Sequence, residues 1–500
     1  MLLPWLILIP FISALICLPL EYFCIKLSRW IALMAIGMVL LLTLLIGLST
    51  NDLLIMQTVV GSHQWQYEYS ISWIPSFGIN FHLALDGLSL LMVILTGLLG
   101  IFAVLCSWKE IDRYIGIFYL NLLLVIGGII GIFIAIDLFL FFCFWEMMLI
   151  PMFFIIFLWE SKETKESTKI NTAIKFFIYT QGSGLLLLVA IISLSLIHYY
   201  HTGVWSFQYE SLLKNHMSYP VEYILMLCFF VTFAVKLPIV PLHGWLIDVH
   251  SQASTAGSIS ILLKTAAYGL LRFSLPLFPT TSMHFAPIAK ILGLINIFYG
   301  AWMAFNQTDF KRVISYSSIS HIGLILIAIY TWNNLAFQGV IFQMITYSIS
   351  TAGLFILCGQ LYERLQTRNL YEIQKTWRHI NYIPGFVLFF CLATMGIPGT
   401  GNFIGEFLIL VGSYNIAPYI TAIASFGIVF TTIYVLIMMQ RIYFGIQKEM
   451  NKNFFNQMTP REYSMILIII FLLIGLFFYP QLVFNISHNL KPWIFDTSIR

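Results

Sequence analysis

The stretch FAVKLPIVPLHGWLIDVH, residues 233–250, decides the fold. A long apolar segment runs into Lys236, and the prolines Pro238 and Pro241 follow at once. Three more ionisable side chains complete the stretch: His243, Asp248 and His250. A charge inside a bilayer is costly, and proline removes a backbone donor that lipid cannot replace. The stretch therefore predicts a broken membrane helix whose polar groups line a path for ions or protons.

The composition places the whole chain in a membrane. Of the 500 residues, 60% are hydrophobic and 9% are charged, whereas soluble domains carry about 25% charged residues. The net charge of +4 is small and spread along the chain, so it does not indicate a nucleic-acid partner. The seven cysteines form no CxxC pair and no Cys/His metal spacing, which argues against iron–sulfur, haem c and structural zinc sites.

Apolar runs of about 20 residues, the length of a spanning helix, predict an all-α polytopic membrane protein with about fourteen transmembrane helices. The predicted helices cover residues 2–20, 29–49, 83–106, 113–134, 137–158, 171–198, 221–249, 253–274, 285–305, 312–331, 335–361, 382–413, 418–444 and 462–484. Helix 7 is broken at Pro238 and helix 12 at Pro398. Two interrupted helices five apart predict two inverted five-helix repeats, helices 4–8 and 9–13.

These repeats divide the chain into four parts. The predicted parts are 1–112 with helices 1–3, 113–274 as the first repeat, 285–447 as the second repeat, and 460–500 with helix 14 and a tail. Most of the 25 Lys and Arg residues, Lys311 among them, fall in loops on one side of the membrane, and a few, including Arg272, fall on the other. The positive-inside rule then places the loop 50–82 and both termini outside. The first segment lacks a basic start and a cleavage site, so we interpret it as a retained helix.

Five ionisable side chains lie inside separate predicted helices, and each is a candidate for proton transfer. They are Glu146, Lys236, Lys264, His321 and Glu406, in helices 5, 7, 8, 10 and 12. At about 4 Å and an effective dielectric near 20, a Glu–Lys pair is worth about 4 kcal/mol. A change in their separation would therefore switch proton binding. The structural alternatives are an interhelical hydrogen bond or a packed polar residue, and they weigh most for His321.

Eight motifs cover predicted helices 5 to 13: FFCFWEMMLIPMF, FAVKLPIVPLHGWL, HSQASTAGS, LLKTAAYGLLRF, KRVISYSSISHIG, QMITYSIST, LYERLQTR and GIPGTGNFIGEF. On these motifs the chain resembles the antiporter-like membrane subunits of respiratory complex I. The resemblance implies a proton-translocating membrane-arm subunit of NADH-quinone oxidoreductase in the bacterial cytoplasmic (inner) membrane. Its partners would be neighbouring antiporter-like subunits and membrane lipid. It implies no cofactor in this chain, with NADH, FMN, iron–sulfur clusters and quinone bound elsewhere in the complex.

The same resemblance assigns roles to the ionisable residues. Glu146 and Lys236 fall on the glutamate–lysine pair of the family, and the other three fall on its central lysine, its helix 10 histidine and its terminal residue in helix 12: Lys264, His321 and Glu406. We expect a secondary proton path through four further side chains: His243, Asp248, His250 and Tyr347.

Three departures from the family pattern stand out. Ile247 and Ser254 stand where the family usually has proline. The spacing from TAGS to Lys264 is three residues shorter, which predicts either a rotation of about 60° or a shifted helix start. Tyr347 stands where the family often has histidine, and a phenol conducts protons less readily near pH 7.

Two other transport functions would use the same row of ionisable residues. One is a cation/proton antiporter subunit of a multi-component antiporter, and the other is a membrane subunit of a hydrogenase-type complex. A structural spacer is the third alternative, and it would tolerate loss of all five residues.

Overall fold

The computed structural model describes residues 2–23, 25–54, 65–159, 166–261, 264–376, 382–443 and 457–487. Part of the charged loop that follows predicted helix 5, residues 160–165, and the tail 488–500 lie outside the described residues.

The described chain is built from α-helices. They are α1 Leu3–Phe23, α2 Ile25–Leu54, α3 Gly87–Glu110, α4 Ile115–Ile134, α5 Leu138–Met147, α6 Leu149–Leu158, α7 Glu166–Thr202, α8 Tyr209–Leu212, α9 Tyr219–Lys236, α10 Gly244–Gln252, α11 Thr255–Ile261, α12 Thr265–Gly269, α13 Leu275–Leu277, α14 Pro279–Asn306, α15 Phe310–Ile329, α16 Asn334–Leu365, α17 Leu370–Thr376, α18 Ile383–Thr394, α19 Gly401–Tyr414, α20 Pro418–Tyr443, α21 Pro460–Phe478 and α22 Gln481–Ser487. A π-helical turn, Leu270–Ser274, joins α12 to α13.

Twelve continuous segments among the described residues are long and apolar enough to cross a membrane. One of them, Leu138–Leu158, combines α5 and α6, which meet at a defect at Met148. Two further apolar stretches are interrupted and fall short of a continuous span: α11 to α13, and α18 with α19. The fold is therefore a polytopic helical membrane protein, compatible with the predicted fourteen helices.

The two predicted helix breaks are confirmed. The seventh segment is interrupted over 237–243, between α9 and α10, and the twelfth over 395–400, between α18 and α19. Each gap contains proline, which cannot donate the backbone hydrogen bond that would continue a helix. The Val240–Pro241 peptide bond is cis. The inverted relation of the two five-helix units stays a prediction.

A third interruption was not predicted. The expectation that Lys264 lies in the middle of a continuous eighth helix is wrong, because α11 ends at Ile261 and α12 begins at Thr265. Neither proline nor glycine occurs between these two residues, so the local sequence gives no breaking signal. The two alternatives expected for this shortened segment, a rotation of about 60° or a shifted helix start, stay predictions.

The loop expected over 50–82 contains a β-hairpin in its second half. Strand β1, Tyr67–Ile74, pairs antiparallel with β2, Ile79–Leu85, and a short 3₁₀ turn joins them. Gly78 closes the turn with φ of 65°, and a Cβ there would lie 1.9 Å from the carbonyl oxygen of Trp205. The alternation YEYSISW over residues 67–73 is a period-two signal that predicts a strand.

The interior of the molecule is formed by α15 and α16, which are almost completely buried. By contrast, only about a third of α1, α2, α20 and α21 is buried, and they expose apolar side chains such as Met34 and Phe471. An apolar exterior around a polar-containing interior is the arrangement expected in lipid. Lys264, His321 and Glu406 lie in the buried part of the molecule, whereas Glu146 and Lys236 are partly exposed.

Candidate proton-transfer site

Glu146 and Lys236 line one cavity between α4, α5, α7 and α9. Lys236 is the last residue of α9, at the edge of the break. Its Nζ lies 4.0 Å from the centroid of the Trp145 ring and donates to the Met148 sulfur at 3.4 Å. No contact within 4 Å joins the Glu146 carboxylate to this ammonium in the described structure. The two groups therefore influence each other across a cavity rather than as a closed ion pair.

Gly184 of α7 makes room for the Glu146 carboxylate. A Cβ at position 184 would lie 1.7 Å from Oε1 of Glu146, which no real side chain tolerates. This contact joins residues from two separate helices, so the sequence alone could not reveal it.

Lys236 also lines a second, smaller cavity, which it shares with His250, Lys264 and Ser318. His250 is buried and stacks on Phe355, with 4.8 Å between the ring centroids. Its Nδ1 has no hydrogen-bond partner among the described residues. Because Lys236 belongs to both cavities, it connects the Glu146 side to the Lys264 side.

Lys264 lies in the break of the eighth segment and is buried. Its Nζ lies 5.5 Å from the centroid of the Tyr347 ring. The Tyr347 hydroxyl is 3.4 Å from Ser317 Oγ, which also accepts a hydrogen bond of 2.8 Å from Tyr434. A lysine in a break is not fixed by a regular helix on both sides, so its ammonium can approach either cavity wall.

His321 and Glu406 are in direct contact. His321 Nδ1 lies 3.2 Å from Glu406 Oε1, and both side chains are buried. The Gln343 amide donates to the same carboxylate oxygen at 3.2 Å, and the His321 ring lies 4.4 Å from the Tyr347 ring. Tyr347 therefore lies between Lys264 and the His321–Glu406 pair. It completes a row of titratable groups from Glu146 to Glu406 that is partly exposed at Glu146 and Lys236 and buried beyond them.

A glycine and an asparagine stabilise the break before Glu406. Gly396 has a φ of 69°, and a Cβ there would lie 2.5 Å from Oε2 of Glu406. Asn402 donates from its amide nitrogen to the Ala393 carbonyl and to Ser350 Oγ, at 2.9 Å each. These contacts fix α19 against α16 and α18, so the carboxylate keeps a defined position.

Two of the predicted secondary residues lie apart from this row. Asp248 is half-exposed and forms an ion pair of 2.6 Å with Lys175. His243 Nε2 lies 3.2 Å from the Tyr299 hydroxyl. The other two predicted secondary residues, His250 and Tyr347, lie within the row.

Sequence reasoning missed several buried charges. Lys311 and Arg272 were expected in loops, and the structure buries both; Arg272 pairs with Asp86. Asp137 is fully buried before α5 and accepts backbone hydrogen bonds from Asn80, Phe139 and Leu140. Burial raises its pKa to about 6, although these hydrogen bonds and His82 oppose the increase. A helix-capping aspartate at the end of an apolar run was the available signal.

The arrangement of the titratable groups suits proton transfer. No group of three or more His, Cys, Asp or Glu side chains among the described residues is placed to hold a metal ion. Carboxylate, amine, imidazole and phenol groups instead follow one another through the buried core, separated by cavities that can admit water.

The comparisons with known proteins agree with this chemistry. The family described as NADH:quinone oxidoreductase/Mrp antiporter, TM, matches residues 135–431. NADH-quinone oxidoreductase subunit M of Escherichia coli (strain K12) is 56% identical over 505 residues, covering 99% of each chain. A chain of respiratory complex I from Thermus thermophilus has a TM-score of 0.83 at 23% identity, over 99% of this chain and 100% of that chain. A chain of the Mrp complex from Dietzia sp. has a TM-score of 0.80 at 19% identity, over 98% of this chain and 52% of that chain.

Proposed function

Because the chain belongs to the NADH:quinone oxidoreductase/Mrp antiporter transmembrane family, we propose that it is the proton-translocating membrane-arm subunit of an NADH-quinone oxidoreductase. The observation that carries this function is the row of titratable groups from Glu146 to Glu406. The high identity over the full length favours the subunit named M, and glutamate at position 406 agrees with it.

The proton path follows the order of the row. Glu146 tunes Lys236 across the first cavity, so an approach of the carboxylate retains the proton on the lysine and a retreat releases it. The released proton moves through the second cavity, past His250, to Lys264. It then reaches His321 and leaves by Glu406 toward the outer side. Asp248, which is half-exposed, and the buried His243 serve the cytoplasmic end of the path.

The subunit works inside a larger assembly. It carries no cofactor; NADH, FMN, iron–sulfur clusters and quinone are bound by other subunits of the complex. We place it in the bacterial cytoplasmic membrane, surrounded by lipid and by neighbouring antiporter-like subunits, with both termini on the periplasmic side. The parts 113–274 and 285–447 act as two half-channels, one for each broken helix.

The test replaces Glu146 or Glu406 by alanine in the assembled complex. Inverted membrane vesicles give NADH oxidation and proton pumping in one preparation, and oxidation with an artificial acceptor reports assembly. We expect pumping to fall about tenfold or more, since loss of a proton-binding group raises the barrier by more than about 1.4 kcal/mol. Lys214→Ala, on an exposed loop, is the matched control.

Two outcomes would contradict the proposal. Undiminished pumping by the alanine variants would remove the row from the path. Membranes that keep full NADH-quinone reductase activity after deletion of the chain, but lose cation/proton exchange, would assign it to an antiporter instead.

A further inference from the structure

A small polar cleft lies at the predicted cytoplasmic end of the helices, where α3, α11, α16 and α21 meet. Glu110, Gln360, Glu363 and Arg461 line it. Glu462 also lines it, but its carboxylate pairs with Arg364 at 2.6 Å. None of these residues belongs to the row from Glu146 to Glu406.

Gln360 indicates that the cleft contains water. This side chain is only 6% exposed, and neither its amide nitrogen nor its oxygen has a hydrogen-bond partner among the described residues. A buried amide without partners is costly, and water is the usual partner in a polar cavity. Arg461 Nε, at the same cleft, also has no partner in the described part of the chain.

Glu110 joins this cleft to the helix that leads to Lys264. Its Oε1 accepts hydrogen bonds from the backbone N–H and the hydroxyl of Thr255, at 2.8 and 3.1 Å. Thr255 is the first residue of α11, the half-helix that ends just before Lys264. Gly359 allows this approach, because a Cβ there would lie 2.3 Å from Thr255 Oγ1.

Two cations hold the other side of the same turn. Lys311 Nζ donates to the Ala253 carbonyl at 2.8 Å, and Arg368 donates to the Ser251 carbonyl. The turn 251–255 therefore forms hydrogen bonds with charged groups from three different segments: Glu110, Lys311 and Arg368. Glu110 is the one that lines the water-accessible cleft.

Charged groups of both signs surround Glu110. The carboxylates of Glu363 and Glu462 face it across the cleft, while Arg461 is the cation that lines the cleft with them. Arg364 is engaged by Glu462, and Lys311 by the Ala253 carbonyl. Lys109 and the thiols of Cys106 and Cys358 are further titratable neighbours.

Resting on the proposed function, we propose that Glu110 takes up protons from the cytoplasmic side and that its protonation releases the start of α11. The proton passes from water in the cleft to the carboxylate, and the neutral acid replaces a charged acceptor. Hydrogen bonds to an ionised acceptor are roughly twice as strong as those to a neutral one. Thr255 is therefore held tightly before uptake and loosely after it, which couples cytoplasmic proton supply to the position of Lys264.

Two comparisons in the full complex separate proton binding by Glu110 from its role as a helix cap. The first compares the wild type with Glu110→Gln, and the second compares Glu110→Asp with Glu110→Asn. Glu110→Gln keeps an acceptor oxygen for Thr255 but cannot bind the proton. Glu110→Asp and Glu110→Asn shorten the side chain equally and differ in titration, so they carry the test if the glutamine variant does not assemble. Inverted vesicles expose the cytoplasmic face to the bath, where pH can be varied.

We expect the ratio of proton pumping to NADH oxidation to fall about threefold or more in Glu110→Gln, a change of about 0.7 kcal/mol in a barrier. In the glutamine and asparagine variants the ratio should also lose its decline with rising bath pH, and Glu110→Asp should retain that decline. Lys214→Ala is the control.

Equal ratios and equal pH profiles within each pair would overturn the inference and leave Glu110 as a helix cap. An undiminished ratio in Glu146→Ala would instead contradict the proposed function. The two failures are therefore distinguishable.

Discussion

The two broken helices hold their carboxylates in opposite ways. In the first half, Lys236 ends the half-helix before the break, and Glu146 comes from another helix without touching the ammonium. In the second half, Glu406 belongs to the half-helix after the break and contacts His321 and Gln343 at 3.2 Å each. One half is an open pair across a cavity, and the other is a closed hydrogen-bonded cluster.

The difference indicates where movement controls proton binding. Lys236 rests on the Trp145 ring and the Met148 sulfur, and such contacts are worth about 0.5–2 kcal/mol and have weak directional preference. Hydrogen bonds to a charged group are worth about 1.5–3 kcal/mol and require aligned atoms. We therefore propose that the first half changes its lysine–carboxylate distance, whereas the second half passes on a proton through a fixed contact.

The largest expected effect comes from closing the space that Glu146 occupies. Gly184→Ala places a Cβ 1.7 Å from the carboxylate oxygen, so the side chain must leave the cavity and lose its influence on Lys236. We expect proton pumping per NADH to fall about tenfold. Gly182→Ala, two residues away with nothing within 4 Å, is the matched control. Equal pumping in both variants would show that the Glu146 position does not matter.

A smaller effect is expected from the equivalent change in the second half. Gly396→Ala introduces a Cβ 2.5 Å from Glu406 and an alanine at φ of 69°, a conformation that costs about 1–2 kcal/mol. Because His321 and Gln343 still hold the carboxylate, we expect pumping to fall about threefold to fivefold. Gly385→Ala, in open space on α18, is the control. A larger loss than in Gly184→Ala would reverse the comparison.

The smallest effects should distinguish the directional hydrogen bond to Glu406 from the weakly directional sulfur contact of Lys236. Gln343→Leu removes a donor from the Glu406 carboxylate, and we expect pumping to fall about twofold to threefold. Met148→Leu removes the sulfur acceptor of Lys236 but keeps the volume, and we expect a loss of less than about twofold. Initial pumping rates in the same vesicles compare the two. A greater loss of pumping in Met148→Leu than in Gln343→Leu would mean that the Met148 sulfur holds Lys236 in place.

Part of the site was predictable because it depends on local chemistry. Lys236 and Glu406 stand out as charges in apolar runs beside prolines, and a bilayer penalises both features wherever the chain folds. The break at Lys264 was not predictable, because no residue near it disrupts a helix. The burial of Lys311 depends on the Ala253 carbonyl, which belongs to a segment far away in the sequence.

The sequence by itself determined that this protein is a polytopic membrane protein, where the seventh and twelfth helices break, and that titratable groups such as Lys236 and Glu406 lie within those helices. These features follow from the hydropathy of short segments and from the positions of prolines, which both affect only the few residues around them. Tertiary structure alone decided that Glu146 stays apart from Lys236 while Glu406 contacts His321, and that Glu110 grips the start of α11. Such contacts join residues distant in sequence, so they depend on how the helices pack.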